Sequence, residues 1–486
     1  MRTIADGQAW PRGSRMEVLG QPCGSALFPA KVSVDSADRS VLVSLSRTPW
    51  STMLKALGSG GTESTTMNRR NLLTAAAATA ASYRRIQGAN DRLSLGIIGT
   101  GNRGGQIWEQ AIAMDDAQPV AACDVYEPHL EKALSTAGGQ AKAYRDFRDL
   151  LEHRPMDAVL IATPDHWHAI QTIMACRSGL DVYVEKPLSL TVEEGRKMTE
   201  AARKYDRVVQ TGSQQRSGPH YIEAMQLVRE GEIGAVHHVE AGMERNSMPG
   251  FGTPDDTDPP ADFNYDMWLG PATERAYNPL RSHYHFRWFW DYSGGQMTNW
   301  GAHNIDIARW GLGVEAPKVV SGCGGRYAIR DNGETPDVQE VLYELDSGVL
   351  KWSVRELNGT RGSYLVFHGT KGDLEVTRRG HSIRGQQWQR KEPLMAENRE
   401  SFPEGAQRSL NAHHMRDFLD CVRSRERPNA DVEIGHRTAV FCHLGNIATR
   451  LTRSIQWDAA TESIPSDDEA NGWLSKPYRA PWTLDL

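Results

Sequence analysis

The sequence has no long run of charge of one sign, no apolar stretch approaching the roughly 20 residues that a membrane-spanning helix needs, and no cysteine pair at metal-ligand or redox spacing. The first absence argues against nucleic acid as a partner and against electrostatic anchoring at a membrane, because the formal net charge of -6 is spread along the chain. The second argues against stable membrane insertion. The third argues against a disulfide framework: Cys23, Cys123, Cys176, Cys323, Cys421 and Cys442 are isolated, and such cysteines usually serve as small buried hydrophobes. What is present is a chain of 486 residues, 39% of them apolar, which is too long for one core of ordinary size. Two domains plus extra segments are expected.

Residues 1–66 are rich in Ser, Gly, Thr and Pro and lack sustained apolar periodicity, so they are read as a disordered segment or as sequence ahead of the true translation start. Residues 67–90 open with Met67-Asn68-Arg69-Arg70-Asn71-Leu72-Leu73 and run into alanines, an order that resembles a twin-arginine export signal followed by a linker. The expectation is translation from Met67 and an exported, periplasmic protein if that signal operates, or a cytoplasmic one otherwise. The twin-arginine route carries folded proteins, so a cofactor loaded inside the cell would leave with its enzyme.

A Rossmann domain is expected over residues 91–212. Leu93 to Ile98 is an apolar run of strand length that passes directly into Gly99-Thr100-Gly101-Asn102-Arg103-Gly104, and a helical pattern follows to about Met114. Gly99 suits the tight turn, Gly101 lets backbone amides approach a pyrophosphate, and Gly104 lets the helix pack close to the strand. A pyrophosphate is favoured at the helix N-terminus by unpaired amides and by the helix dipole. A second strand ends at Asp124, where a carboxylate meets the adenine-side ribose and repels a 2′-phosphate, so NAD is expected in preference to NADP. Alternating helices and strands continue to Gln210 and imply a parallel sheet covered on both faces. Two loops then fall at the carboxyl edge of that sheet, Thr163-Pro164-Asp165-His166-Trp167-His168 and Glu185-Lys186-Pro187. Asn102, Arg103, Thr163, Pro164, Asp165, His168, Glu185, Lys186 and Gln214 join the glycines and Asp124 as the expected cofactor contacts.

With those three elements together, the chain resembles the Gfo/Idh/MocA family, named after glucose–fructose oxidoreductase and inositol dehydrogenase, from about Asp91 to the C-terminus. The resemblance implies that Lys186 lies beside the nicotinamide and the substrate hydroxyl, with Glu185 and Pro187 shaping its loop. Chemistry agrees, because oxidation of an alcohol needs a partner for the departing proton, and an amine of tuned pKa can take it. His168 is expected to cap or pack at the start of its helix. A metal at His166-x-His168, or at His283-x-His285, lacks further ligands, and none is expected.

Residues 213–486 read as an α+β domain with an open, mainly antiparallel sheet, since segments such as 236–243, 319–322, 338–345, 349–357 and 363–369 include several that alternate apolar and polar residues. The tail from Tyr478 to Leu486 is expected to add an edge strand. In the family, this sheet supplies the substrate site on one face and often a subunit contact on the other, so a homo-oligomer is expected. From about Met297 a helix is expected to carry Asn299, His303 and Asp306 on one face. Family members commonly carry an Asp, three intervening residues and a His here, with the His acting on the substrate hydroxyl. This chain has Asn299 in place of that Asp; an amide can orient a histidine but cannot hold its charge, and Asp306 is the candidate to compensate. Lys186, His303 and Asn299 are therefore the expected catalytic residues. Arg287, Trp288, Tyr292 and His303 are expected to hold substrate, in an aromatic wall suited to sugar rings or else in plain core packing.

The function that follows is hydride transfer between a sugar or polyol hydroxyl carbon and NAD, with tight retention and recycling of that NAD as an accompanying expectation. Two alternatives stand beside it: a redox-assisted glycosidase or lyase that uses bound NAD without net turnover of it, and a non-catalytic protein that retains the cofactor.

Overall fold

The fold is that of a computed structural model describing residues 92–385 and 396–486. The expectations for residues 1–66 and for the twin-arginine-like segment lie outside the described residues. The first sheet is built from β1 (Leu93–Ile98), β2 (Ala117–Cys123), β3 (Lys142–Tyr144), β4 (Ala158–Ile161), β5 (Asp181–Val184) and β6 (Val209–Thr211). Their order is β3-β2-β1-β4-β5-β6, with every pairing parallel. Each residue of β4 and β5 is buried, as strands with helices on both faces must be. The strand order reverses between β1 and β4, so a crevice opens beyond their carboxyl ends, which is where such sheets bind ligands. The glycine loop, the 163–168 loop and Glu185-Lys186-Pro187 all leave that edge.

The second sheet comprises β7 (Val236–Glu244), β8 (Val319–Gly325), β9 (Val338–Leu345), β10 (Gly348–Arg355), β11 (Gly362–Gly369), β12 (Gly372–Thr377), β13 (Gly380–Gly385), β14 (Arg399–Ser401) and β15 (Ile455–Gln456). Their order is β14-β13-β12-β11-β7-β10-β9-β8-β15, antiparallel throughout except between β7 and β10. Burial alternates along β9 and β12, so one face meets a core and the other does not. Helices Pro219–Arg229, Ala302–Leu312 and Val432–Leu451 cover the buried face, with Met225, Ile305 and Phe441 packed among Val341, Trp352 and Phe367. The β12–β13 hairpin was not expected from the sequence, and its two-residue turn is Arg378-Arg379.

The last segments return to the first sheet. Helix Ala406–Ser424 adds Met415, Phe418 and Leu419 to the core containing Leu95, Ile97 and Trp108. The tail corrects an expectation: Tyr478 to Leu486 forms no strand. Pro481 has no N–H for a ladder, Tyr478 spends its hydroxyl on Glu194 Oε1 at 2.5 Å, and Tyr478, Trp482, Leu484 and Leu486 pack against the cluster of Ile170, Ile173 and Met198.

Candidate active site

A cleft of about 720 Å³ runs along the crevice and is lined by residues of both sheets' connections. Of the expected site residues, Gly99, Gly101, Asn102, Arg103, Asp124, Thr163, Pro164, Asp165, Glu185, Lys186, Gln214, Arg287, Asn299 and His303 line it together. Gly99 has φ +82°, and a side chain there would meet the backbone of Ala162 and Thr163 at 2.8 Å. Gly104 lies outside the cleft and does a packing job: a Cβ there would come within 1.9 Å of Gly99 O. The helix that follows, Asn102–Ile112, has no side-chain cap and no acidic residue in its first turn, so its N-terminal amides face the cleft without a competing anion. That donor set fits a dinucleotide pyrophosphate. At the far end, Asp124 Oδ2 accepts from Thr100 N at 2.7 Å and Thr100 Oγ1 at 3.0 Å, while Oδ1 accepts from Tyr126 N at 2.9 Å.

Arg103 and Glu185 tie the glycine loop to the Lys186 loop through an Nε–Oε1 hydrogen bond of 2.7 Å. Burial alone would raise the Glu185 carboxyl, but Arg103 and Lys186 outweigh it and hold Glu185 below its ordinary range. His168 does not line the cleft; its Nδ1 lies 2.8 Å from Pro187 O and its Nε2 3.0 Å from Thr163 O, so it joins the two loops from beneath.

Lys186 Nζ donates to Asn299 Oδ1 at 2.8 Å and to Asn299 O at 3.2 Å. Burial, strengthened by the charge of Arg287 and opposed by Glu185 and Asp165, lowers the Lys186 ammonium to about 8. The amide is held by a chain of partners whose roles leave little choice. Glu356, fully buried, accepts from Trp288 Nε1 and from Gln296 Nε2, both at 2.8 Å. Gln296 therefore presents Oε1 to Asn299 Nδ2 at 3.2 Å, which leaves Asn299 Oδ1 for Lys186. Asn299 thus orients the lysine and not the histidine, a correction to the sequence reading.

The helix expected from Met297 begins as a single π-helical turn, Met297–Gly301, before the α-helix Ala302–Leu312. Asn299 and His303 still border the cleft together, but Asp306 does not join them. His303 borders the cleft, buried with an unpartnered Nδ1; burial, then the charges of Arg378 and Lys186, push it well below its usual value and keep it neutral. Asp306 points away, its Oδ2 accepting from Arg216 Nε at 2.7 Å and its Oδ1 from Thr438 at 2.9 Å. It is the counter-ion of a buried arginine and does not back His303.

Trp288 and Tyr292, expected on the substrate, are 4% and 0% exposed and lie in an aromatic core with Phe263, Trp268 and Phe289. Core packing claims them, while Trp268, Tyr284 and Trp300 do reach the cleft. Arg378 and His129 line the cleft without having been singled out in the sequence, and His283 lines it although it was weighed only as a metal ligand. Arg378 arrives on the unforeseen hairpin turn. His129 lies 3.8 Å from Asp124 Oδ2, and His283 stacks on Phe263 at 4.9 Å. Both belong to the cleft end near Asp124, where a strap from the later half of the chain is pinned down: Glu127 N donates to Asp262 O at 3.0 Å and Asn264 N to Val125 O at 2.9 Å.

Comparisons with known proteins agree with this architecture. A family model described as "Oxidoreductase family, NAD-binding Rossmann fold" matches residues 93–213, and its companion, the C-terminal alpha/beta domain of the same family, matches 250–321 and 345–484. Myo-inositol 2-dehydrogenase of Thermotoga maritima is 27% identical over 287 residues, 58% of this chain and 74% of that protein. A "Glycosyl hydrolase family 109 protein" of a Shewanella species is 30% identical over 159 residues, 31% of this chain and 35% of that protein. Among solved structures, levoglucosan dehydrogenase in complex with NADH and levoglucosan superposes with a TM-score of 0.61 at 17% identity, covering 75% of this chain and 99% of that one, and so shares the fold.

Proposed function

Since the chain belongs to the Gfo/Idh/MocA oxidoreductase family, whose two domain models span more than half of it, we propose that it oxidises a secondary hydroxyl of a sugar or polyol with NAD as hydride acceptor. The observation that carries this reading is Lys186: a buried amine lowered to about 8, fixed by Asn299 at the carboxyl edge of the first sheet, beside a neutral His303. The similarity to myo-inositol 2-dehydrogenase supports a polyol-type substrate.

The residues divide the work by chemistry. Gly99, Gly101 and the amides of Asn102–Gly104 hold the cofactor's pyrophosphate, Asp124 its adenine-side ribose in favour of NAD over NADP, and the 163–165 loop with Gln214 its other half. When bound, the nicotinamide supplies the hydride acceptor. Lys186, as the amine, takes the hydroxyl proton, and Asn299 holds its Nζ in place between turnovers. His303, kept uncharged, is a hydrogen-bond partner for the hydroxyl. The strap at 262–264 favours a cofactor that is retained, and export of the loaded enzyme is the accompanying expectation from Arg69-Arg70.

A second reading, redox-assisted glycoside cleavage, is favoured by the partial similarity to glycosyl hydrolase family 109 proteins. The test is absorbance at 340 nm with NAD and a panel of polyols, sugars and glycosides. Net NADH with a carbonyl product supports the dehydrogenase; glycoside cleavage without net NADH supports the second reading.

A further inference from the structure

Among the described residues, the half-buried Arg103 pairs with Glu185 and the buried Arg216 with Asp306. Two arginines of the cleft do not. Among the described residues, neither Arg287 nor Arg378 forms an ion pair, although both line the half of the cleft that holds Lys186 and His303. Arg287 gives one N–H to Tyr284 O at 2.9 Å and stacks on Phe286 at 4.6 Å. Arg378 stacks on Trp300 at 4.7 Å, and its Nε is buried with no partner. Its neighbour in the hairpin turn, Arg379, is exposed, so the turn offers a solvated position that Arg378 does not take. Arg287 is only half-buried, but the Arg378 Nε is withdrawn from water with no partner and no compensating charge, which is costly, and the cost falls when an anion arrives.

The charges nearby do not supply that anion. Glu185 is matched by Arg103, and Asp124 lies at the other end of the cleft. Asp165 is the remaining acid; its Oδ2 accepts from Ser293 Oγ at 2.5 Å, and burial raises its carboxyl. After burial, the charge of Arg378 is the strongest influence holding His303 neutral, which places the guanidinium within electrostatic reach of the proton-handling groups. A neutral polyol needs donors and acceptors for its hydroxyls, and Lys186, Asn299 and Gln214 provide them; it needs no guanidinium pair. The planar donor fork of arginine matches a carboxylate or phosphate.

We propose that the substrate of this site is an anionic carbohydrate, a sugar acid or a sugar phosphate, and that Arg378, with Arg287 in the same cleft, selects its oxyanion. The proposal rests on the dehydrogenase reading for the place of the substrate, but binding tests it without turnover. Calorimetric titration of the NAD-loaded full chain with D-gluconate, D-glucuronate, D-glucose 6-phosphate and D-glucose is the experiment. At least one acid is expected to bind about 100-fold more tightly than glucose, with Arg378→Gln losing most of that preference and Arg378→Lys keeping part of it. A carboxylate preference or a phosphate preference identifies the source of the oxyanion. Glucose binding as well as all three acids, or Arg378→Gln weakening acid and glucose alike, overturns the proposal. So does an equal loss of NAD binding in Arg378→Gln, which would reassign the guanidinium to the cofactor. If an acid binds as expected and yet gives no NADH at 340 nm, the dehydrogenase reading fails while the anion site stands.

Discussion

Asn299 Oδ1 accepts from Lys186 Nζ at 2.8 Å, and the amide can face only that way because Glu356, through Gln296, fixes its other end. This bond favours the ammonium, and burial favours the amine; burial wins and leaves Lys186 at about 8. The base in alcohol oxidation is the amine, so kcat/KM for oxidation should rise with pH, close to tenfold per unit, and level off above about 8. Asn299→Asp puts a negative charge against Nζ, stabilises the ammonium and moves the rise to higher pH by about one unit or more. Asn299→Leu removes the acceptor and moves it lower. A pH profile unchanged in both variants would separate Lys186 from the proton step.

Lys186→Met should lower kcat by about 10²–10⁴-fold, the range of a lost general base. NAD binding, followed by quenching of tryptophan fluorescence, should survive, because the pyrophosphate and ribose contacts lie on other loops. A variant that loses cofactor binding and turnover together would make Lys186 a cofactor residue alone.

The first sheet could be read from the sequence because each of its signals is local: an apolar strand, then glycines, then a helix, with Asp124 one strand later. The loops of the active edge followed from the topology. What escaped was contact between distant segments. Asn299 and His303 both reach the cleft, as a helical wheel suggests, but the wheel could not show that the Asn299 amide would pair with Lys186 and Gln296. Asp306 looked like a catalytic partner until Arg216, 90 residues earlier, claimed it. Trp288 and Tyr292 carry the composition of a sugar platform, yet periodicity cannot say which aromatic rings face a cleft and which face one another. Arg378 was hidden for a further reason: the β13 strand that follows it, Gly380–Gly385, has no apolar–polar alternation to mark the second arm of a hairpin.

Asp306→Ala is expected to destabilise the fold by about 3–5 kcal/mol, since it leaves the Arg216 guanidinium buried and unpaired. Urea denaturation gives the value. Loss of turnover with wild-type stability would restore Asp306 to the catalytic group.

Asp124→Ser should lower the preference for NAD over NADP by at least about tenfold in kcat/KM, because the carboxylate that repels a 2′-phosphate is removed while a hydroxyl can still accept from Thr100 N. The ratio of the two cofactors is the readout, since it cancels any general loosening of the glycine turn. An unchanged ratio would place the discrimination elsewhere, with His129 the nearest candidate.

The most direct test follows the hydrogen itself. An accepted sugar or polyol carrying deuterium on its ring carbons is incubated with the full chain and NAD, and the cofactor and products are analysed by mass spectrometry. The account predicts one deuterium in the reduced cofactor for each carbonyl product formed, and neither in Lys186→Met. Deuterium retained in the carbohydrate or exchanged into water, with a glycosidic bond cleaved and no net reduced cofactor, would contradict it.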